Sequence, residues 1–262
     1  MIPRANLIAW QAQAPWAEMG QVEQDLVLSR AIVELFDDPR ARKQVAFRGG
    51  TALHKLHLAP AARYSEDIDL VQVQPGPAKP IFQIVQQHLD PWLGEPKRKT
   101  KRNGIQLFYA FNTELPPIRT MRVKIEVNTR EHFSEMGFVT MPFAVENPWF
   151  TGTAAVTTYP LDELLGTKLR ALYQRKKGRD VYDLWHALER GGVDANTVVR
   201  CFRAYLDHSG LSVSQGELMA NLDAKAHDED FRSDIEPLLD PGIEFDHDEA
   251  MRVVRERLAT LL

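Results

Sequence analysis

The sequence predicts an α+β protein, a mixed-sheet domain with an N-terminal helix over residues 1–159 followed by a helical domain over residues 160–262. Three observations carry this expectation. Apolar segments with period-two alternation lie in the first part, the strongest helix-period segments begin at Leu161, and glycine and proline clusters punctuate both. With 262 residues, 44% of them apolar, the chain can bury a full core.

Residues 21–36 read as an amphipathic helix because Val22, Leu26, Ser29, Val33 and Phe36 recur at spacings of three and four. Residues 45–47 read as a short strand, Gly49-Gly50 as a turn, and residues 51–58 as a helix whose Leu53, Leu56 and Leu58 make apolar contacts. Beyond Pro60, residues 67–73 alternate Asp67 and Asp69 with Ile68 and Leu70, which is a strand with its acids on one face. A proline-bounded stretch ends that strand, and residues 81–89 are helical in pattern. Strands are expected over 105–111 and 121–128; in the second, Val123, Ile125 and Val127 point one way while Lys124, Glu126 and Asn128 point the other. Helices are expected over 161–174, 180–189, 196–206 and 246–261, separated by Gly178, Gly191-Gly192 and a turn near residues 237–242.

No stretch approaches the roughly 20 apolar residues that cross a bilayer, and the first 16 residues lack a sustained apolar run, so a cytoplasmic protein is expected. The single cysteine, Cys201, excludes an intrachain disulfide and a cysteine-based zinc knuckle; Val198, Val199 and Phe202 beside it suggest a buried helix position. A formal charge of −4 excludes a uniformly basic surface. Two basic clusters stand out even so. Lys97, Arg98, Lys99, Lys101 and Arg102 form one, read as solvated loop or nucleic-acid contact, and Arg175, Lys176, Lys177 and Arg179 form the other.

The chemistry centres on Gly49-Gly50-Thr51 and on Asp67 and Asp69. Glycines let a backbone approach phosphate closely, and Thr51 adds a hydroxyl where free helix N–H groups favour anions. Residues two apart on a strand share a face, roughly 6.6 Å along the chain. Asp67 and Asp69 can therefore converge on Mg²⁺, and Glu126 can complete an oxygen cage from a neighbouring strand. Crowded carboxylates repel, so such a site implies a metal or raised pKa values. Ser65, just ahead of the acids, can hydrogen-bond the metal loop. Farther along, Lys168 or Arg175 could neutralise phosphate, and Asp180 or Asp183 could orient a basic side chain or activate an acceptor hydroxyl; Arg179, Asp180 and Asp183 could instead be a salt-bridge and capping cluster.

Other chemistries fit poorly. The glycine turn lacks the spacing and Lys-Ser/Thr pair of a Walker A loop and is no Rossmann fingerprint. His54 and His57 have no nearby Cys or His to complete a zinc set, which leaves surface or packing roles, and Ser65 has no local histidine partner for hydrolase chemistry.

Phe47-Arg48-Gly49-Gly50-Thr51-Ala52-Leu53, Arg63-Tyr64-Ser65-Glu66-Asp67-Ile68-Asp69-Leu70 and the Lys168 to Trp185 segment together resemble the AbiEii/AbiGii toxin family of nucleotidyltransferases, within the DNA polymerase β-like superfamily. The resemblance spans roughly residues 21–189. It implies a nucleotidyltransferase domain completed by the helical domain, with Gly49 and Gly50 gripping the nucleotide, Asp67 and Asp69 as metal ligands, Lys168 facing phosphate, and Asp180 or Asp183 as the later acidic motif. Glu126 fits a third-carboxylate position at which members vary. Gly50 stands where many superfamily relatives carry serine.

The implied activity is Mg²⁺-dependent transfer of NMP from an NTP to an acceptor hydroxyl, with Mn²⁺ as a substitute. An RNA acceptor, such as a tRNA 3′ end, and a cognate antitoxin would be partners in toxin-antitoxin or phage-defence systems. Transfer of AMP or UMP to a protein and a noncatalytic nucleotide- or RNA-binding module are the alternatives.

Overall fold

The structure, a computed structural model, describes residues 2–101 and 104–262. Arg102 of the first basic cluster lies outside the described residues. The chain divides into two compact units, Met1–Phe133 with Phe138–Tyr159, and Ser134–Gly137 with Pro160–Leu262.

In the first unit, helices α1 (Arg4–Trp10), α2 (Met19–Asp37) and α3 (Pro39–Gln44) precede strand β1 (Val45–Arg48). Helix α4 (Gly49–Ala52) follows at once and continues as a wider π turn over Leu53–His57. The remaining elements are β2 (Asp67–Gln72), α5 (Lys79–Leu93), β3 (Lys97–Lys101), β4 (Gly104–Asn112), β5 (Thr120–Asn128), β6 (Val139–Asn147) and β7 (Phe150–Thr158). They build one mixed sheet in the order β3-β4-β5-β2-β1-β7-β6. Strand β2 pairs antiparallel with β1 and parallel with β5, while β1 pairs parallel with β7. Helix α2 packs on β7, β5 and β2, burying Val22, Leu26, Ser29, Val33 and Phe36 as their spacing predicts.

Three parts of this unit depart from the sequence reading. Residues 97–101, a basic cluster for which solvated loop was one of two readings, form the edge strand β3, because antiparallel pairing with β4 supplies backbone partners while every side chain stays exposed. Lysines on an edge also discourage pairing with another chain. The hairpin β6–β7 was not foreseen: β7 is built from small residues and threonines, and β6 is an outer strand carrying Pro142, so neither has a strong apolar alternation. The short helices α1 and α3 were missed too.

A buried ion pair ties the N-terminal helices to the site-bearing segment. Asp25 on α2 accepts from Trp10 Nε1 at 2.9 Å and Trp16 Nε1 at 3.3 Å, and both its oxygens lie 3.0 Å from Lys55 Nζ. Lys55 also donates to Ser29 Oγ at 2.9 Å. His54 is buried beside it, a packing rather than a surface position.

The second unit contains α6 (Leu161–Gln174), α7 (Arg179–Arg190), α8 (Ala195–His208), α9 (Gln215–Ala226), α10 (Glu229–Ser233) and α11 (His247–Arg257). Helices α6 and α8 meet at Gly166, where a Cβ would lie 2.6 Å from that of Cys201, which is buried in α8 as its apolar neighbours suggest. Glu163 explains why residues 134–137 join this unit: its buried carboxylate accepts from Ser134 Oγ at 3.0 Å, from the N–H groups of Glu135 and Met136 at 2.8 and 2.9 Å, and from Tyr205 Oη at 2.7 Å. The expected C-terminal helix stops at Arg257, and residues 259–261 form a separate 3₁₀ turn. Helix α9, also unforeseen, begins with a Ser214/Glu217 capping box that its sequence does contain. Among the described residues, no helix is long and apolar enough to cross a membrane.

Asp25→Ala leaves the Lys55 ammonium and the Trp10 indole N–H without their buried acceptor. We expect a loss of about 3 kcal/mol or more in unfolding free energy, read by urea titration with tryptophan fluorescence. An unchanged midpoint would contradict the role given to this pair.

Candidate active site

Strand β1 delivers Arg48 and then turns at Gly49, whose φ of 81° lies in the left-handed region that glycine tolerates. Space imposes glycine there as well, since a Cβ on Gly49 would collide with Asp69 Oδ2. A Cβ on Gly50 would lie 2.5 Å from Arg63 Nη2 and 3.4 Å from Ser65 Oγ. The buried Arg63 guanidinium therefore fills the room that a serine at this position would need. Thr51 Oγ1 lies 2.8 Å from Ser65 Oγ and donates to the Asp67 carbonyl oxygen at 2.6 Å, fastening the turn to the start of β2.

On β2, Ile68 and Leu70 are buried while Asp67 and Asp69 face the opposite, partly open side. The antiparallel register sets Asp69 beside Arg48, and the parallel register sets Asp67 opposite Lys124 and Asp69 opposite Glu126. Lys124 Nζ reaches to 2.7 Å from Asp67 Oδ2 and 3.4 Å from Glu126 Oε2. Gln106 Nε2 donates to Glu126 at 2.5 Å. Among the described residues, no three His, Cys, Asp or Glu side chains are grouped so as to hold a metal ion, so the oxygen cage expected of Asp67, Asp69 and Glu126 is not assembled. Lys124 and Gln106 hold the Glu126 carboxylate instead.

Crowding is legible in proton affinity. Burial, reinforced by the Asp67 charge, pushes the Asp69 carboxyl up to about 6. Burial also raises Asp67 above the ordinary carboxylate range, against the pull of its Lys124 hydrogen bond. Burial disfavours the Lys124 ammonium, but Asp67 outweighs it and the lysine holds its proton more tightly than usual. Oxygen-only donors that resist carrying two negative charges, with an ammonium lodged between carboxylates, fit a hard divalent cation. Asp67 and Asp69 are the side chains that would hold it.

The second unit contains its own charged cluster. Lys168 Nζ lies 3.0 Å from Asp180 Oδ1 and 2.9 Å from Asp183 Oδ2, and neither carboxylate is exposed. Arg175 clamps Asp180 through Nε at 2.7 Å and Nη2 at 2.8 Å. Burial opposes ionisation of Asp180, yet Lys168 and Arg175 win and hold its pKa below the ordinary value. The salt-bridge alternative from the sequence thus has a different membership: Arg179 pairs with Asp234 at 2.9 Å, not with Asp180 or Asp183. Lys176 and Lys177 pair with Asp228 and Asp234, so the second basic cluster is neutralised by aspartates.

The sequence matches the family described as nucleotidyl transferase AbiEii toxin, type IV TA system, over residues 30–257. The chain belongs to this family. As an AbiEii-family protein it is a nucleotidyltransferase toxin of the type IV toxin-antitoxin class. Its fold is similar to that of MenT4, a nucleotidyltransferase toxin from Mycobacterium tuberculosis H37Rv, with a TM-score of 0.71 at 18% identity over 100% of this chain and 90% of that one. It is also similar to JHP933 from Helicobacter pylori, with a TM-score of 0.52 at 16% identity over 93% of this chain and 92% of that one. No curated protein matches the AbiEii-family chain in sequence.

Two side chains of this AbiEii-family site, and one within the second unit, carry more than the sequence assigned them. Lys124 was visible as a neighbour of Glu126 in the alternation, but its partner depends on the β2–β5 register. Arg63 sits under the glycine turn by tertiary packing. Lys225 of α9 donates to the carbonyls of Leu172 and, at 3.0 Å, Tyr173 at the end of α6, a contact far outside any local motif.

The raised Asp69 pKa has a definite sign. The folded protein binds this proton more tightly than the unfolded chain, so stability falls as pH rises from about 4 through the folded value of about 6, and is flat above. In metal-free buffer, the wild-type melting temperature should therefore drop relative to that of Asp69→Asn across this window. Parallel curves from pH 4 to 7 would contradict the crowded-acid description.

Proposed function

We propose that this AbiEii-family toxin transfers NMP from an NTP to an acceptor hydroxyl, that Mg²⁺ or Mn²⁺ is required, and that RNA, with a tRNA 3′ end as the leading case, is the acceptor. The observation that carries this reading is the convergence of Asp67 and Asp69 on one open face of β2, directly beside the left-handed Gly49 turn. Such a turn at a helix start offers backbone N–H groups to phosphate, and the acids offer oxygens to the cation that accompanies a triphosphate. When bound, that cation would polarise the α-phosphate and lower the proton affinity of the attacking hydroxyl.

The acceptor oxygen forms its bond to the α-phosphorus as the bond to pyrophosphate breaks. Gly49, Gly50 and Thr51 orient the triphosphate, with Ser65 holding Thr51 in place. We assign Glu126 to the support of the two aspartates and, as the third carboxylate, to metal binding once Lys124 is displaced. Lys168, steadied by Asp180 and Asp183, and Arg175, which keeps 53% of its side chain exposed, are assigned to phosphate charge. Strand β3 favours RNA over protein as acceptor: Lys97, Arg98, Lys99 and Lys101 are exposed and make no ion pair among the described residues. A cognate antitoxin protein, in keeping with the family, would restrain the activity.

Incubation of each α-labelled NTP with separate RNA and protein pools tests the reading. Label should enter RNA, vanish with excess EDTA, and fall at least about 100-fold in Asp69→Asn. Label in protein alone would favour protein nucleotidylation, and equal label with EDTA would defeat the metal assignment. Neutralising Lys97, Lys99 and Lys101 should weaken RNA binding and flatten its salt dependence. Unchanged binding across a salt titration would make β3 a solvated edge only.

A further inference from the structure

Resting on the metal reading above, we propose that Lys124 is a built-in, displaceable counter-ion that competes with the divalent cation for Asp67. The inference comes from geometry. Parallel pairing sets Lys124 directly across from Asp67, and the alternation of β5 turns it to the same face as Glu126. Its Nζ makes a 2.7 Å contact to Asp67 and a 3.4 Å contact to Glu126, with only 24% of the side chain exposed. An exposed lysine–carboxylate pair contributes little to stability and could be lost without consequence. This ammonium instead sits among acids from two adjacent strands, where a positive charge is needed whenever no metal is present.

The same placement sets a conflict. A divalent cation bound by Asp67 and Asp69 would sit within a few ångströms of Lys124, so the two positive charges exclude one another at the Asp67 oxygen. Gln106 restrains Glu126 but has no contact with Asp67 in the structure, which leaves Lys124 as the group that occupies this oxygen among the described residues. The lysine therefore lowers the affinity of the metal site, keeping it closed to free divalent cation and open to one that arrives with a polyanionic nucleotide, whose phosphates give the displaced ammonium a new partner.

The test is Mn²⁺ binding without nucleotide, read from the free-Mn²⁺ electron paramagnetic resonance signal, in the full chain and in Lys124→Met, Lys124→Arg and Asp69→Asn. Lys124→Met should tighten Mn²⁺ binding by about tenfold, Lys124→Arg should stay near wild type, and Asp69→Asn should lose the site. Equal or weaker binding in Lys124→Met, with the site still lost in Asp69→Asn, would overturn the counter-ion role while sparing the metal reading. Binding that Asp69→Asn leaves intact, or no binding in any variant, would overturn the metal reading and this proposal with it. Should Lys124→Met fail to fold, Lys124→Gln replaces it. Failure of both would make the ammonium a structural requirement and overturn its displacement.

Discussion

The parallel pairing of β2 with β5 is the constraint on which the site depends. Antiparallel pairing with β1 brings Asp69 to the glycine turn, and parallel pairing with β5 brings Lys124 and Glu126 to the two aspartates. Because side chains alternate along a strand, one residue of slippage would turn both aspartates into the core and Ile68 and Leu70 out of it. The buried Ile68 and Leu70 on one strand and Val123, Ile125 and Val127 on the other oppose that slip, so the apolar side of the sheet fixes the position of the acids on its other side. Hydrophobic burial thus supplies the free energy that keeps like charges together.

The two units handle charge in opposite ways. In the first, Asp67 and Asp69 have fewer cationic partners than negative charges, and burial leaves their proton affinity raised. In the second, Asp180 and Asp183 are fully enclosed but matched by Lys168 and Arg175, and Asp180 is held ionised. A matched cluster rigidifies the start of α7 against α6, whereas an unmatched one is poised to accept a cation. The glycine turn sits with the unmatched set, which is where a triphosphate would add its own negative charge.

Much of this was legible before any coordinates. The Asp67/Asp69 alternation, the Glu126 face of β5 and the turn at Gly49 follow from period-two patterning and glycine conformation, both local properties of the chain. The hairpin β6–β7 was not, because threonine-rich and outer strands carry little apolar contrast. Lys97 to Lys101 carries no strand signal of its own, because its strand identity comes from pairing with β4. The partners of Lys124 and Arg179 lie one strand away and 55 residues along the chain respectively, and Arg63 reaches Gly50 only through the fold. Such pairings are tertiary facts, and no spacing rule reaches them. The Ser214/Glu217 capping box was a local signal that could have been read.

Asp67 and Asp69 are proposed to share one divalent cation beside the glycine turn. Crystals grown with Mn²⁺ and a non-hydrolysable NTP analogue, measured at the manganese absorption edge, test it most directly. The account predicts an anomalous peak within coordination distance of both carboxylates, with the analogue's phosphates against Gly49 and Gly50. A peak confined to other residues, or nucleotide bound with no manganese between Asp67 and Asp69, would contradict it.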